Sequence, residues 1–379
     1  MSFSDLLESQ PITALLLFIF LPFNLVSIAS AATTYEQNDR DGKQSQKIEF
    51  EAQITFGDSL SDVGTYAVGT VAALGGGQFT INSPGVKNWT AVMAEQFGLN
   101  PPCAAQTGLD GDVNQGFYVP VVNHQGCNGY AQGGARITSP VGIGNKLTGG
   151  SSATVGFLTV PIVQQIQNYL NTNAGKFNDE QIVFVFAGAN DVFFQLGLLQ
   201  AQQTDPTGAV TAMAQAANEL VTAIKTQIIK NGAKYVVVLN IPNIAITPMG
   251  ATFNSPTRGL VDALVNTFNA QLQTGLADNS SVLYVDAYAE SYNQYVNPGA
   301  YGLSNVTNTA CDLSPAKNPL SSSLVCTNSN LIPGIIGNYL FADMVHPTPY
   351  GYNLIANLVS KDMLNNGWRW RKHEFKETH

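Results

Sequence analysis

The chain has four histidines, and one of them stands where an imidazole can do proton-transfer work. His373 and His379 sit in a polar terminal tail. His124 lies among Asn123, Gln125, Gly126 and Cys127, with no carboxylate close in sequence. His346 instead follows Asp343 by three residues, in Phe341-Ala342-Asp343-Met344-Val345-His346-Pro347-Thr348-Pro349. The two prolines fix the backbone just before a helical pattern near Tyr352. A three-residue separation on a tight turn brings the carboxylate to the imidazole Nδ1, which sets the tautomer and leaves Nε2 to take a proton. Alone, Asp-x-x-His is as often a structural pair as a functional one.

A general base of this kind needs a nucleophile. Ser59, in Phe56-Gly57-Asp58-Ser59-Leu60, follows a predicted strand and precedes a helix-compatible stretch, with Gly57 permitting a sharp turn. A serine hydroxyl is inert at its own pKa and reacts only beside a base that holds it exposed. The competing role for Ser59 is a helix N-cap. The Gly-x-Ser-x-Gly elbow of α/β-hydrolases is absent, which disfavours that family. Acyl transfer also needs preorganised N–H groups for the oxyanion. Gly188-Ala189-Asn190-Asp191 follows a buried strand directly and offers a side-chain amide at the same sheet edge. Gly133 and Gly134, in Tyr130-Ala131-Gln132-Gly133-Gly134-Ala135, offer a backbone N–H that no Cβ obstructs. Each of these segments also reads as an ordinary turn.

The elements that must position these groups alternate between strand and helix. Residues 48–56, 182–186, 235–239 and 282–285 are apolar runs rich in β-branched and aromatic residues, as strands buried on both faces are. Helical spacing appears over 161–170, 210–229, 260–276 and 352–364. The alternation predicts a parallel sheet between helices, whose carboxyl edge is where ligands bind. Residues 64–156 break the rhythm with abundant Gly, Asn and Pro, and are expected to form long loops on the functional face. Trp368-Arg369-Trp370-Arg371-Lys372-His373 reads as a solvated tail, with transient membrane-surface contact as the alternative.

The 379 residues are 45% hydrophobic and 11% charged, enough apolar material for a substantial core in one large domain or at most two. A net charge of −9 with few scattered bases makes nucleic acid an unexpected partner. Residues 12–29 are almost wholly apolar and end in Ala29-Ser30-Ala31, which predicts a signal peptide over 1–31. Asp5 and Glu8, with no base ahead of the apolar run, leave an uncleaved anchor as the alternative. A polar leader (32–47), a catalytic domain (48–366) and a basic-aromatic tail (367–379) follow. Four cysteines allow three pairings. Export favours the local one, Cys103–Cys127 with Cys311–Cys326, over four buried free thiols. No metal-ligand cluster or phosphate loop is evident, so no cofactor or metal is expected.

Four segments in order resemble the blocks of the GDSL, or SGNH, hydrolase family: Phe56 to Gly64, Tyr130 to Ala135, Gly188 to Asp191, and Asp343 to His346. The resemblance implies a flavodoxin-like three-layer α/β/α fold. It also implies Ser59 as nucleophile, His346 as base and Asp343 as its orienter. The oxyanion hole would be Ser59 N–H, Gly133 N–H and the Asn190 side chain. The flanking sequence looks closest to the bacterial secreted branch of esterases, phospholipases and acyltransferases, without the membrane barrel of autotransporter members. The expected function is a secreted serine ester hydrolase acting on a small-molecule or lipid ester. Phospholipase, lipid acyltransferase or polysaccharide deacetylase activity at the same site is the alternative, and a non-catalytic binding protein a more remote one. Phe117, Tyr118, Phe157, Phe193, Phe194 and Leu196 either line an acyl channel or belong to the core.

Overall fold

The structure is a computed structural model that describes residues 47–372. The expected signal peptide, the leader up to residue 46, and residues 373–379 with His373 and His379 lie outside the described residues. The first half runs β1 (Ala52–Gly57), α1 (Gly69–Ala73), α2 (Trp89–Phe97), β2 (Gln106–Asp110), β3 (Tyr118–Asn123), α3 (Ser151–Val155), α4 (Ile162–Thr172), β4 (Gln181–Phe186) and α5 (Ala189–Gln200). The second runs α6 (Pro206–Ala223), β5 (Tyr235–Leu239), α7 (Pro248–Thr252), α8 (Ser255–Leu276), β6 (Val282–Val285), α9 (Ala287–Val296), β7 (Asn305–Thr309), β8 (Tyr339–Phe341) and α10 (Pro349–Asn365).

The central sheet has the order β1-β4-β5-β6, all parallel. A short extended segment at Gly129 runs parallel to β1 on its outer side: Thr55 N–H donates to Asn128 O (3.0 Å) and Tyr130 N–H to Thr55 O (2.8 Å). Counting that segment, the chain order across the sheet is 2-1-3-4-5, the flavodoxin-like order. The connections diverge on either side of β1, so the carboxyl end of β1 is the switch point where such sheets place their ligands.

Alternate strand residues feed two cores, as a period of two requires. Ile54, Phe56, Val183, Val185, Val236 and Val238 pack toward α4, α5, α6 and α8, meeting Ile166, Met213, Leu264 and Phe268. Ile182, Phe184, Phe186, Val237 and Leu239 pack toward α2 and α10, meeting Trp89, Met93, Phe97, Tyr352 and Val359. Two helical layers thus enclose the sheet, giving the α/β/α sandwich.

Three regions depart from expectation. Residues 64–156 are more than loops, since they hold α1, α2, α3 and the antiparallel β2–β3 hairpin. The signal for α2 was present. Trp89, Met93 and Phe97 recur every four residues, Asn88 caps the start through Thr90 N–H and Ala91 N–H, and Gly98 ends it at φ 76°. At nine residues it was hidden by its glycine-rich surroundings. Helix α6 begins four residues before the expected Val210, behind an Asp205 cap, and continues as a π-helical turn over Ile224–Ile229. Finally, residues 368–371 are packed, not frayed. Arg371 N–H donates to Ile48 O (2.9 Å), Trp368 meets Tyr235 edge-on, and Trp370 meets Phe97.

Candidate active site

Ser59 sits on the turn that leaves β1. Gly57 is required there because a Cβ would run into the Phe186 carbonyl of the neighbouring strand. Gln165 of α4, fully buried, grips both polar groups of Gly57: its Oε1 accepts Gly57 N–H and its Nε2 donates to Gly57 O, each at 2.9 Å. Asp58 Oδ1 then accepts Leu60 N–H (3.0 Å), and Ser61 N–H donates to Asp58 O. The turn is locked on both sides of Ser59. Ser59 lies in no helix and caps none, so the N-cap role is not the one it takes.

The Asp343-to-His346 segment is a tight reversal between β8 and α10, closed by Ala342 N–H to His346 O at 2.8 Å. Asp343 is buried and accepts N–H bonds from Val345, His346 and Ser323. His346 Nδ1 lies 2.9 and 2.8 Å from the two Asp343 oxygens, and His346 Nε2 lies 2.8 Å from Ser59 Oγ. Burial opposes ionisation of Asp343, but the adjacent His346 and the N–H donors outweigh it and hold the carboxyl well below the usual range. An acceptor-only carboxylate fixes the proton on Nδ1, leaving Nε2 as the acceptor for the serine hydroxyl. The Phe79 ring lies 4.9 Å from the imidazole and limits its tilt.

Asn190 opens α5 directly after β4, and its Nδ2 donates to Ala135 O at 3.0 Å. Next to it, Asp191 accepts from Arg136 Nε (2.9 Å) and Ile137 N–H (3.1 Å), while the Arg136 guanidinium lies over the Phe194 ring. The first turn of α5 therefore holds the glycine block in place. Gly188 at φ 116° makes this approach possible, because a Cβ would strike Phe268.

Gly133 requires a correction. Its N–H donates to Asp62 Oδ2 (2.9 Å) and its carbonyl accepts from Tyr66 Oη–H (2.7 Å), so it does not present the free amide the resemblance implies. Among the described residues, Ser59 N–H and Gly134 N–H have no protein acceptor. Asp62 lies within the Phe56-to-Gly64 block, but the resemblance implies no role for it. A carboxylate three residues after Ser59 was its one visible signal.

The chain order of Ser59, the glycine block, Asn190 and Asp343–His346, joined in one site, is that of a known family. Residues 54–359 match the family model described as GDSL-like Lipase/Acylhydrolase. The chain belongs to this family.

GDSL hydrolases act on ester bonds. Esterase EstA of Pseudomonas aeruginosa is 27% identical over 334 residues, covering 84% of this chain and 47% of the relative. GDSL esterase/lipase At5g55050 of Arabidopsis thaliana is 25% identical over 301 residues, covering 73% of each. The chain spans about half the length of most curated GDSL relatives it matches. Among solved structures, a lipolytic G-D-S-L family member from Veillonella parvula aligns at 14% identity and TM-score 0.37, over 83% of this chain and 96% of that one. Phospholipase A1 from Streptomyces albidoflavus aligns at 13% identity and TM-score 0.38, over 82% and 98%.

The disulfides are the local pairs, Cys103–Cys127 and Cys311–Cys326. Of the acyl-channel candidates, Phe117 and Leu196 are buried and Phe193 packs on the main core. Phe157 stacks on Tyr66 at 4.3 Å and meets Phe79, the ring beside His346. Tyr118 is exposed.

Proposed function

We propose that this chain is a secreted carboxylic ester hydrolase that works through an acyl-enzyme on Ser59. The observation that carries the reading is the unbroken line from Asp343 through His346 to Ser59 Oγ, with 2.8 Å at each end. Ser59 Oγ attacks the ester carbonyl while His346 Nε2 takes its proton, and Asp343 stabilises the imidazolium. The tetrahedral oxyanion is received by Ser59 N–H, the second Asn190 amide hydrogen and an amide of the glycine block. His346 returns the proton to the departing alcohol. Water, deprotonated by the same nitrogen, then releases the acid. Secretion is supported by the two disulfides and by the apolar stretch at residues 12–29. Among the described residues no helix is long and apolar enough to cross a membrane. Replacing Ser59 by Ala is expected to lower nitrophenyl ester hydrolysis by about 10⁴-fold or more in a folded protein. Retained activity in that variant rules the mechanism out.

A lipid ester substrate is favoured by one further feature. Strand β3 leaves Tyr118, Val121 and Val122 about half exposed, while Val119 between them packs into the cluster of Tyr66 and Phe79. This places an apolar outer face one layer from the ring that abuts His346. Val121→Asp with Val122→Asp is expected to cut hydrolysis of phosphatidylcholine vesicles at least fivefold and leave a soluble acetate ester unaffected. Equal rates on vesicles would remove the lipid reading.

A further inference from the structure

Asp62 is buried, with 1% of its surface exposed, and forms no ion pair among the described residues. A charge in that position is costly unless hydrogen-bond donors converge on it. Three do. Oδ1 accepts Gly64 N–H (2.9 Å) and Thr65 N–H (2.8 Å), and Oδ2 accepts Gly133 N–H (2.9 Å) from a segment 71 residues away. One oxygen thus closes the turn just after Ser59, and the other holds the glycine block.

We propose that Asp62 is a positioning residue that couples the nucleophile turn to the oxyanion loop. Consuming Gly133 N–H orients the Gly133 peptide, and of the two glycine amides it is Gly134 N–H that is left without a protein acceptor among the described residues. Tyr66 Oη–H on Gly133 O and Asn190 Nδ2 on Ala135 O hold the same loop from two other directions, so its register against Ser59 is triply determined. Gly133 itself has no room for a side chain, since a Cβ would strike the Phe79 ring. Oxyanion donors act only when aimed to within a few tenths of an ångström, and small misplacements lower kcat and not binding. The inference rests on the serine-hydrolase reading and adds to it the residue that keeps the oxyanion loop in place.

The test uses two substitutions in the full chain. Asp62→Ser retains a short acceptor for the local turn but cannot reach Gly133. Asp62→Asn retains Oδ1 but turns an amide donor toward Gly133 N–H. Both are expected to lower kcat on a short nitrophenyl ester at least tenfold, with KM within twofold, and to slow organophosphonate labelling of Ser59 in parallel. Asn88→Ala is the control. It removes the α2 cap and the Asn88 bond to Asp62 O, but leaves the carboxylate contacts intact. It is expected to lose stability yet keep kcat within twofold. Asp62→Ser with kcat within twofold of the parent, or Asn88→Ala losing as much kcat as Asp62→Ser, overturns the proposal. Ser59→Ala assayed alongside separates the cases. An inactive Ser59→Ala with an unaffected Asp62→Ser defeats this inference alone, and an active Ser59→Ala defeats the hydrolase mechanism itself.

Discussion

Ser323 N–H donates to Asp343 Oδ2 at 2.8 Å, joining the carboxylate that orients His346 to the loop closed by Cys311–Cys326. Cys311 N–H also pairs with Ala342 O, the residue before Asp343, at 2.9 Å. The disulfide loop thus reaches Asp343 by two routes. Replacing both Cys311 and Cys326 by Ala opens a loop of 15 residues and is expected to cost about 3 kcal/mol. It is also expected to lower kcat at temperatures where the protein remains folded. The same change at Cys103 and Cys127 is expected to cost about as much stability but leave kcat within twofold. Denaturant titration paired with steady-state kinetics on both variants checks the contrast.

Asp343→Asn replaces an acceptor-only group by one that presents a donor to Nδ1. The proton then moves to Nε2, and the imidazole can no longer accept from Ser59. The expected loss is about 10³–10⁴ in kcat, with KM little changed. Recovery of activity at alkaline pH, measured as a pH–rate profile, would accompany it.

Asp58 and Asp343 tie stability to pH with opposite signs. Burial pushes Asp58 up to about 7, so the folded state holds its proton more tightly than the unfolded chain. Its contribution is fully present below the ordinary carboxylate value of 3.8 and is lost as pH rises to about 7. Asp343 is held low, so its contribution is present above the ordinary carboxylate range and is lost only as pH falls well into acid. Asp58→Asn keeps an oxygen for Leu60 N–H but removes the buried charge. It is expected to raise stability by on the order of 1 kcal/mol at pH 8 and by much less at pH 4. Thermal unfolding at the two pH values decides it.

Gln165 does for the end of β1 what a neighbouring strand would otherwise do. Gln165→Leu fits the apolar surroundings but strips Gly57 N–H of its acceptor and Val160 O of a donor. Buried backbone groups left unpaired cost about 1–3 kcal/mol each. An expected loss of about 2–4 kcal/mol in urea unfolding, with kcat lowered as the Ser59 turn loosens, distinguishes this role from mere packing.

The sequence by itself determined whatever depends on near neighbours. Strands β4 and β5 were legible because a strand buried on both faces must be continuously apolar, and Val183 and Val237 have no polar alternative in a parallel sheet. Strand β6 carries the same apolar run at the sheet edge, with Leu283 and Val285 buried and Val282 and Tyr284 partly so. The Asp343–His346 pair was legible because three residues on a turn bounded by Pro347 span that distance unaided. Only the tertiary structure decided what spans hundreds of residues. Ser59 and His346 are 287 positions apart, and no local pattern encodes their 2.8 Å contact. The fate of the Gly133 amide was decided in the same way. A glycine block announces an available N–H, but which group takes it depends on the packing that brings Asp62 alongside. Residues 368–371 read as a solvated tail of aromatics and bases until Ile48, Phe97 and Tyr235 supplied the surface they cover. Side-chain type and short spacing set the chemistry available, and long-range burial and hydrogen bonding set which groups meet.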